Sequence, residues 1–245
     1  MPITRYNGRK LSAPTMPRPP TLSLEAFLDA IARSLAARLQ RLYFRAVEGA
    51  GRHKRDILVT RVEQARDSLE EAKTQFLSAL DQFSTLTRFH GGDLESLYRQ
   101  LKIEYDYSHS RALAVEDRIA AVETVASALF REWESELEQY SNRSLKSASR
   151  QKLRQTQQHY GQLINAMRRA EGKIDPVLRV FHDQVLFLKH NLNAQAIASL
   201  EGELNTLSVG VSGLIGAMER SIDKANFFVQ SLNGQVPKAL PNKDA

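Results

Sequence analysis

Cysteine is absent from all 245 residues, which removes disulfide scaffolds, Cys-ligated zinc, iron–sulfur clusters, thiol nucleophiles and a lipidated N-terminal cysteine. No stretch approaches the ~18 consecutive apolar residues that a membrane-spanning helix needs. Proline is scarce and unevenly placed. Pro2, Pro14, Pro17, Pro19 and Pro20 precede residue 21, Pro237 and Pro241 sit near the end, and Pro176 is the single proline between them. Because proline ends helices, this distribution predicts a helical body between loose tails. Residues 1–21 lack the apolar centre of a secretory signal, so a cytoplasmic or membrane-peripheral location is expected.

The remaining composition is that of an ordinary globular chain, 42% hydrophobic and 25% charged, long enough for one large domain or two small ones. Its formal net charge of +6 is concentrated. Residues 1–55 carry 11 Lys/Arg against 3 Asp/Glu, a net of +8. Residues 56–140 carry 9 against 17, a net of −8, and 143–174 carry 8 against 1, a net of +7. The surplus positive charge therefore belongs to the N-terminal arm. The body alternates acidic and basic blocks, which predicts internal pairing.

Hydrophobic periodicity organises the chain. Ser23 reads as an N-cap, with Leu22 and Phe27 placed as a hydrophobic staple. Behind it Leu24, Leu28, Ile31, Leu35, Leu39, Leu42 and Ala46 form one stripe, with Arg33, Arg38, Arg41 and Arg45 mostly off it. A clean heptad follows: Leu58, Val62, Ala65, Leu69, Ala72, Phe76, Ala79, Phe83 and Leu86. It stops at Gly91-Gly92-Asp93, where glycine suits a C′ position and Asp93 an N-cap. A turn this short forces an antiparallel hairpin.

The next stripe runs through Leu94, Leu97, Leu101, Ser108, Ala112, Val115, Ile119, Val122, Ala126, Leu129 and Trp133 to a break at Ser141–Ser144. Another runs from Leu145 through Leu153, Tyr160, Leu163, Met167, Ala170, Ile174, Val177 and Phe181 to Leu188, with a kink expected at Pro176. Asn191-Leu192-Asn193 is either a turn or a bend, so three or four body helices remain open. The last stripe is Ile197, Leu200, Leu204, Leu207, Val211, Leu214, Met218, Ala225, Phe228 and Leu232. Glu132, Glu134, Glu136 and Glu138 close one helix, and Arg143, Lys146, Arg150, Lys152 and Arg154 open the next. A hairpin there lays acid beside base. The expected fold is all-α, an elongated antiparallel coiled-coil bundle of three or four long helices preceded by a basic amphipathic helix. The expected organisation is a disordered Pro/Arg-rich arm over 1–21, the amphipathic helix over 22–52, the coiled-coil domain over 53–232 and a disordered tail over 233–245.

No catalytic constellation or cofactor motif appears. Glu-x-x-His, HExxH, EF-hand, Walker A, GxGxxG and GxSxG patterns are all missing, and Asp106-x-x-His109 stands alone. His182 and His190 share a helix face two turns apart, a spacing read first as a surface pair and second as metal ligation. Gly210, Gly213 and Gly216 recur inside a helical stripe, where each costs about 1 kcal/mol against alanine. Close helix–helix packing is the reading given to them, since no preceding strand or following lysine supports a phosphate cradle. The N-terminal helix has three readings: a fifth helix packed on the bundle, a membrane-surface helix, or a nucleic-acid arm. In the second, Arg33, Arg38, Arg41, Arg45, Arg52, Lys54 and Arg55 contact anions, and Leu24, Phe27, Leu28, Ile31, Leu35, Leu39 and Leu42 enter the lipid.

Three strings carry a family resemblance. His53-Lys54-Arg55-Asp56-Ile57-Leu58 followed by RVEQARDSLEEAKTQFLSALDQF, FHGGDLESLY at 89–98, and ALFREWESELEQYSN at 128–142 resemble the domain-of-unknown-function 2959 family. The likeness is densest over 164–204 and covers roughly 42–230. It implies a helical body and a bacterial source, and no enzymatic activity. The layout of a basic amphipathic helix before long coiled-coil helices is also similar to BAR-type membrane-binding dimers, at the level of fold alone. The functional expectation is a non-enzymatic, homodimeric scaffold without cofactor, held on anionic membrane by its basic helix. In that scheme the bundle also presents Arg168, Arg169 and Lys173 to lipid. An adaptor for another protein is the alternative, and a nucleic-acid-binding arm the third.

Overall fold

The computed structural model of the chain describes residues 54–87, 93–191 and 194–233, all within the compact unit Gly51–Ala245. Every element among the described residues is helical: α1 (Lys54–Thr87), α2 (Leu94–Leu137), α3 (Arg143–Glu171), α4 (Ile174–His190) and α5 (Ala194–Leu232). The amphipathic segment 22–52, Gly91, Gly92 and the tail 234–245 lie outside the described residues.

The α1 heptad behaves as its spacing predicts. All nine seam residues from Leu58 to Leu86 are buried. At ~1.5–3 kcal/mol for each large apolar side chain removed from water, burial of this face drives assembly more than helix propensity does. Lys54, Gln64, Glu71 and Gln75 of α1 meet Glu132, Arg118, Arg111 and Glu104 of α2, so the partner numbers fall on one helix as they rise on the other. The two helices are antiparallel. Asp93 caps α2 by accepting from the Glu95 amide at 3.0 Å. Asn142 caps α3 by accepting from the Ser144 and Leu145 amides at 2.9 and 3.2 Å, which places the break inside the stretch where it is expected.

The third rod is interrupted at Gly172-Lys173 rather than at Pro176. Gly172 caps α3, and Pro176 occupies the first turn of α4, where its missing N–H would have no helical partner anyway. The rod continues in the same direction through the break. Tyr160 and His159 of α3 meet Phe228 and Phe227 of α5, and further along Val177 of α4 lies beside Gly210. That order makes α5 antiparallel to α3 and α4, so the chain reverses after His190 and the described residues form four rods. Each packs on its neighbours in sequence, and α5 returns to pack on α1. This is an up-and-down four-helix bundle.

Two stripe expectations are corrected. In the second half of α2 the core positions are Val125, Ala126, Phe130 and Leu137, with Leu129 and Trp133 only half-buried. A straight helix of 3.6 residues per turn drifts against a 3.5 repeat, and over 44 residues the buried face rotates from α1 towards α3. Leu145, placed on a core stripe, is 57% exposed because it lies in the first turn of α3, past the point where α1 begins.

Candidate functional site

Two places in the bundle gather side chains that its packing does not require. The first is the α2–α3 end. Lys54, which opens α1, donates to Glu132 Oε1 at 2.7 Å, and α5 meets α3 at Tyr160 only about one turn before its own end at Leu232. Beyond these points, among the described residues, α2 and α3 continue as a two-helix hairpin. Trp133 Nε1 donates to Ser149 Oγ at 2.9 Å, and Lys146 pairs with Glu138 at 3.0 Å. That lysine holds the Glu138 carboxyl below its ordinary range, chiefly through the hydrogen bond. Arg143, Arg150, Lys152 and Arg154 are exposed and have no ion-pair partner among the described residues. Tyr140 and Leu145 are exposed beside them. The tip thus combines unpaired cations with bare apolar surface.

Of the two charge blocks expected to face each other, Lys146 and Glu138 form the one ion pair among the described residues, and a further pair lies down the same interface. Arg168 of α3 is gripped by Glu123 of α2 and Glu171 of its own helix, which together raise its already high pKa. Arg168, expected to face lipid, is thus ion-paired within the bundle while staying exposed. Arg169 and Lys173 remain exposed. Tyr160, half-buried between Phe130 and Phe228, has its phenol pushed up to about 12 by this partial burial, with Glu123 adding to the shift.

The second place is a cleft of about 300 Å³ between α2 and α4, lined by Tyr105, His109, Asp175, Leu178, Arg179 and His182. Tyr105 is its centre. Its ring stacks on His109 at 6.1 Å with 29° between planes and meets His182 at 5.4 Å and 51°. Behind it stands Phe181, edge-on at 6.0 Å and itself edge-on to Phe83 of α1 at 6.4 Å. The tyrosine is thereby anchored to the core while its two imidazole neighbours stay exposed. His182 lies 3.7 Å from Asp183.

Of the residues singled out in the sequence, Leu24, Phe27, Leu28, Ile31, Leu35, Leu39 and Leu42, together with Arg33, Arg38, Arg41, Arg45 and Arg52, lie outside the described residues. Lys54 is an ion-pair partner, its side chain 14% exposed, while Arg55 is open to solvent. A Cβ on Gly210 would meet Val177 Cγ2 of α4 at 3.4 Å. On Gly213 it would meet only the Lys173 ammonium at 3.9 Å, and on Gly216 only Arg220 of its own helix. Among the described residues no group of three or more His, Asp or Glu could hold a metal ion, and His182 meets His109's partner Tyr105 rather than His190. The cleft is invisible to motif reading because its residues come from positions 105–109 and 175–182, on helices whose register is not encoded locally.

No helix among the described residues is long and apolar enough to cross a membrane. No curated protein is similar in sequence to the chain. The sequence profile of the family described as protein of unknown function (DUF2959) matches residues 43–232, from the start of the resemblance to the last turn of α5, and the chain belongs to that family.

Proposed function

We propose that the protein is a non-enzymatic helical scaffold that associates peripherally with anionic membrane, using the basic arm before Lys54 together with the α2–α3 tip. The observation that carries this reading is the tip itself, where the stretch 140–154 exposes Arg143, Arg150, Lys152 and Arg154 together with Tyr140 and Leu145. Cations that pair with lipid headgroups beside apolar groups that enter the acyl boundary are the two components of interfacial binding. The charge partition supports it. Arg168, Lys146 and Lys54 are engaged by α2 carboxylates, whereas Arg143, Arg150, Lys152 and Arg154 at the tip form no ion pair among the described residues. A homodimer would double the cationic surface presented to one membrane.

Co-sedimentation with vesicles tests the reading. Full-length protein should pellet with phosphatidylglycerol-containing vesicles and stay in solution with pure phosphatidylcholine, with binding weakened by salt. Charge reversal at Arg143, Arg150 and Arg154, or at Arg38, Arg41 and Arg45, should each reduce the pelleted fraction. Equal binding by both variants would defeat the proposal.

A second reading, docking of a partner protein, is favoured by Ile103, Tyr107 and Leu113, large apolar residues left exposed on the outer side of α2. Vesicle-independent capture of a partner that competes with changes at Tyr107 would support it.

A further inference from the structure

We infer that the cleft between α2 and α4 is a binding site for a small planar carboxylate, whose anionic end pairs with Arg179 and whose ring lies against Tyr105, His109 and His182. This site is independent of the membrane reading and lies away from the α2–α3 tip.

The charges of the cleft differ in what the fold needs from them. Asp175 sits in the first turn of α4, whose N-cap residue Lys173 makes no side-chain capping bond, so a carboxylate there answers the positive helix end. Arg179, one turn later, has no such role. Elsewhere in the bundle a cation one turn from a carboxylate closes an ion pair, as Arg99 does with Glu95 and Lys102 with Asp106. Between Arg179 and Asp175 no pair forms, and Arg179 has no carboxylate partner among the described residues. A planar guanidinium with its donors unused, on the wall of a cavity, is suited to bidentate pairing with a carboxylate or phosphate.

The rest of the cleft decides between those two. Its remaining surface is largely aromatic, with Tyr105 and His109 stacked at 29° and His182 tilted to Tyr105. Tyr105 is held by Phe181 from behind, and the imidazoles of His109 and His182 flank it at 6.1 and 5.4 Å. Leu178, buried at the base, adds apolar contact. Such a floor rewards a ligand with a planar body and offers a bare phosphate little. The volume of about 300 Å³ sits at the lower end of small-molecule sites, which suits a single ring rather than a nucleotide. A cationic ligand is disfavoured by Arg179 itself.

The test uses the full chain and benzoate as the probe, reading the imidazole carbon–proton signals of all six histidines by NMR. The signals of His109 and His182 should move together and saturate, while that of His159, on the α3–α5 face, should stay still. Arg179→Gln should weaken binding at least about tenfold. Asp175→Asn should leave it equal or tighter, because it removes a repelling charge. Both positions are exposed, so unchanged circular dichroism is expected and would confirm that folding is intact. Inorganic phosphate should bind more weakly than benzoate, and benzyl alcohol should not bind. The inference is overturned by non-saturating shifts, by shifts that survive Arg179→Gln, by loss of binding in Asp175→Asn, or by phosphate binding as tightly as benzoate.

Discussion

Replacing the α5 glycines by alanine separates two accounts of why they are there. If all three serve close helix packing, each alanine should destabilise the bundle. The structure predicts otherwise for two of them. Glycine in a helix interior costs about 1 kcal/mol relative to alanine, so the substitution begins with that gain. At Gly213 the new Cβ would stand 3.9 Å from the Lys173 ammonium, an ordinary contact with a mobile group. At Gly216 it would meet only the Arg220 guanidinium at 3.4 Å, which can swing away. Most of the propensity gain should survive at both. At Gly210 the contact is with Val177 Cγ2 at 3.4 Å, on a branched side chain held in the α4–α5 seam. Crowding there should offset much of the gain and leave the net change near zero. Gly161 and Gly202, with nothing within 4 Å, serve as controls that should show the full effect. Combined Gly213→Ala and Gly216→Ala should add about 1.5–2 kcal/mol, since they share no partner. For a chain of this size that corresponds to roughly 3–8 °C in Tm. Urea titrations followed by circular dichroism, with m unchanged, measure it. Destabilisation by more than about 1 kcal/mol at Gly213 or Gly216, with the controls stabilised, would refute the reasoning and show that these glycines meet something outside the described bundle.

Two further outcomes follow from the packing. Ser108 and Ser221 are fully buried and their hydroxyl oxygens have no hydrogen-bond partner among the described residues. Ser108→Ala and Ser221→Ala should each stabilise by about 1 kcal/mol by removing an unsatisfied polar group; a loss of stability in the same urea assay would show that the hydroxyls are satisfied. His159 has its pKa lowered, first by burial and then by Lys152 and Lys224. With the folded pKa below the unfolded value near 6.5, the unfolded chain binds more protons in acid. The stability this group contributes is therefore present above about pH 6.5 and is lost as pH falls through its folded pKa. His159→Gln should flatten the decline of Tm on that acid limb, and an unchanged slope would count against the assignment.

Much of the architecture is written in local periodicity. The α1 seam is legible residue by residue because a heptad of apolar side chains has only one face to bury, and all nine positions are buried. The caps at Asp93 and Asn142 are legible because their side chains satisfy amides only two or three residues away. The pairing of acidic α2 with basic α3 is anticipated by the charge blocks only in part: Lys146 meets Glu138 and Arg168 meets Glu123, while Arg143, Arg150, Lys152 and Arg154 form no ion pair among the described residues. Legibility fails where the determinant is not local. Leu129 and Trp133 fall on the expected stripe, yet Phe130 and Leu137 take the core, because slow drift of the helix face changes which neighbour it meets. Pro176 draws attention as a breaker, but the break lies at Gly172-Lys173 and proline is accommodated in a first turn.

The sequence by itself determined that the described body is helical, that its faces are amphipathic, where α2 and α3 begin, and that its charge is partitioned between arm and bundle. Each of these depends on residues within a few turns of one another. Only the tertiary structure decided that the segment after Asn191 reverses into a fourth rod, that the α2–α3 hairpin runs on past α1 and α5, and that His109 and His182 share one tyrosine. Those outcomes depend on register between helices far apart in the chain. Register is fixed by the summed fit of whole buried faces, and no single motif carries it.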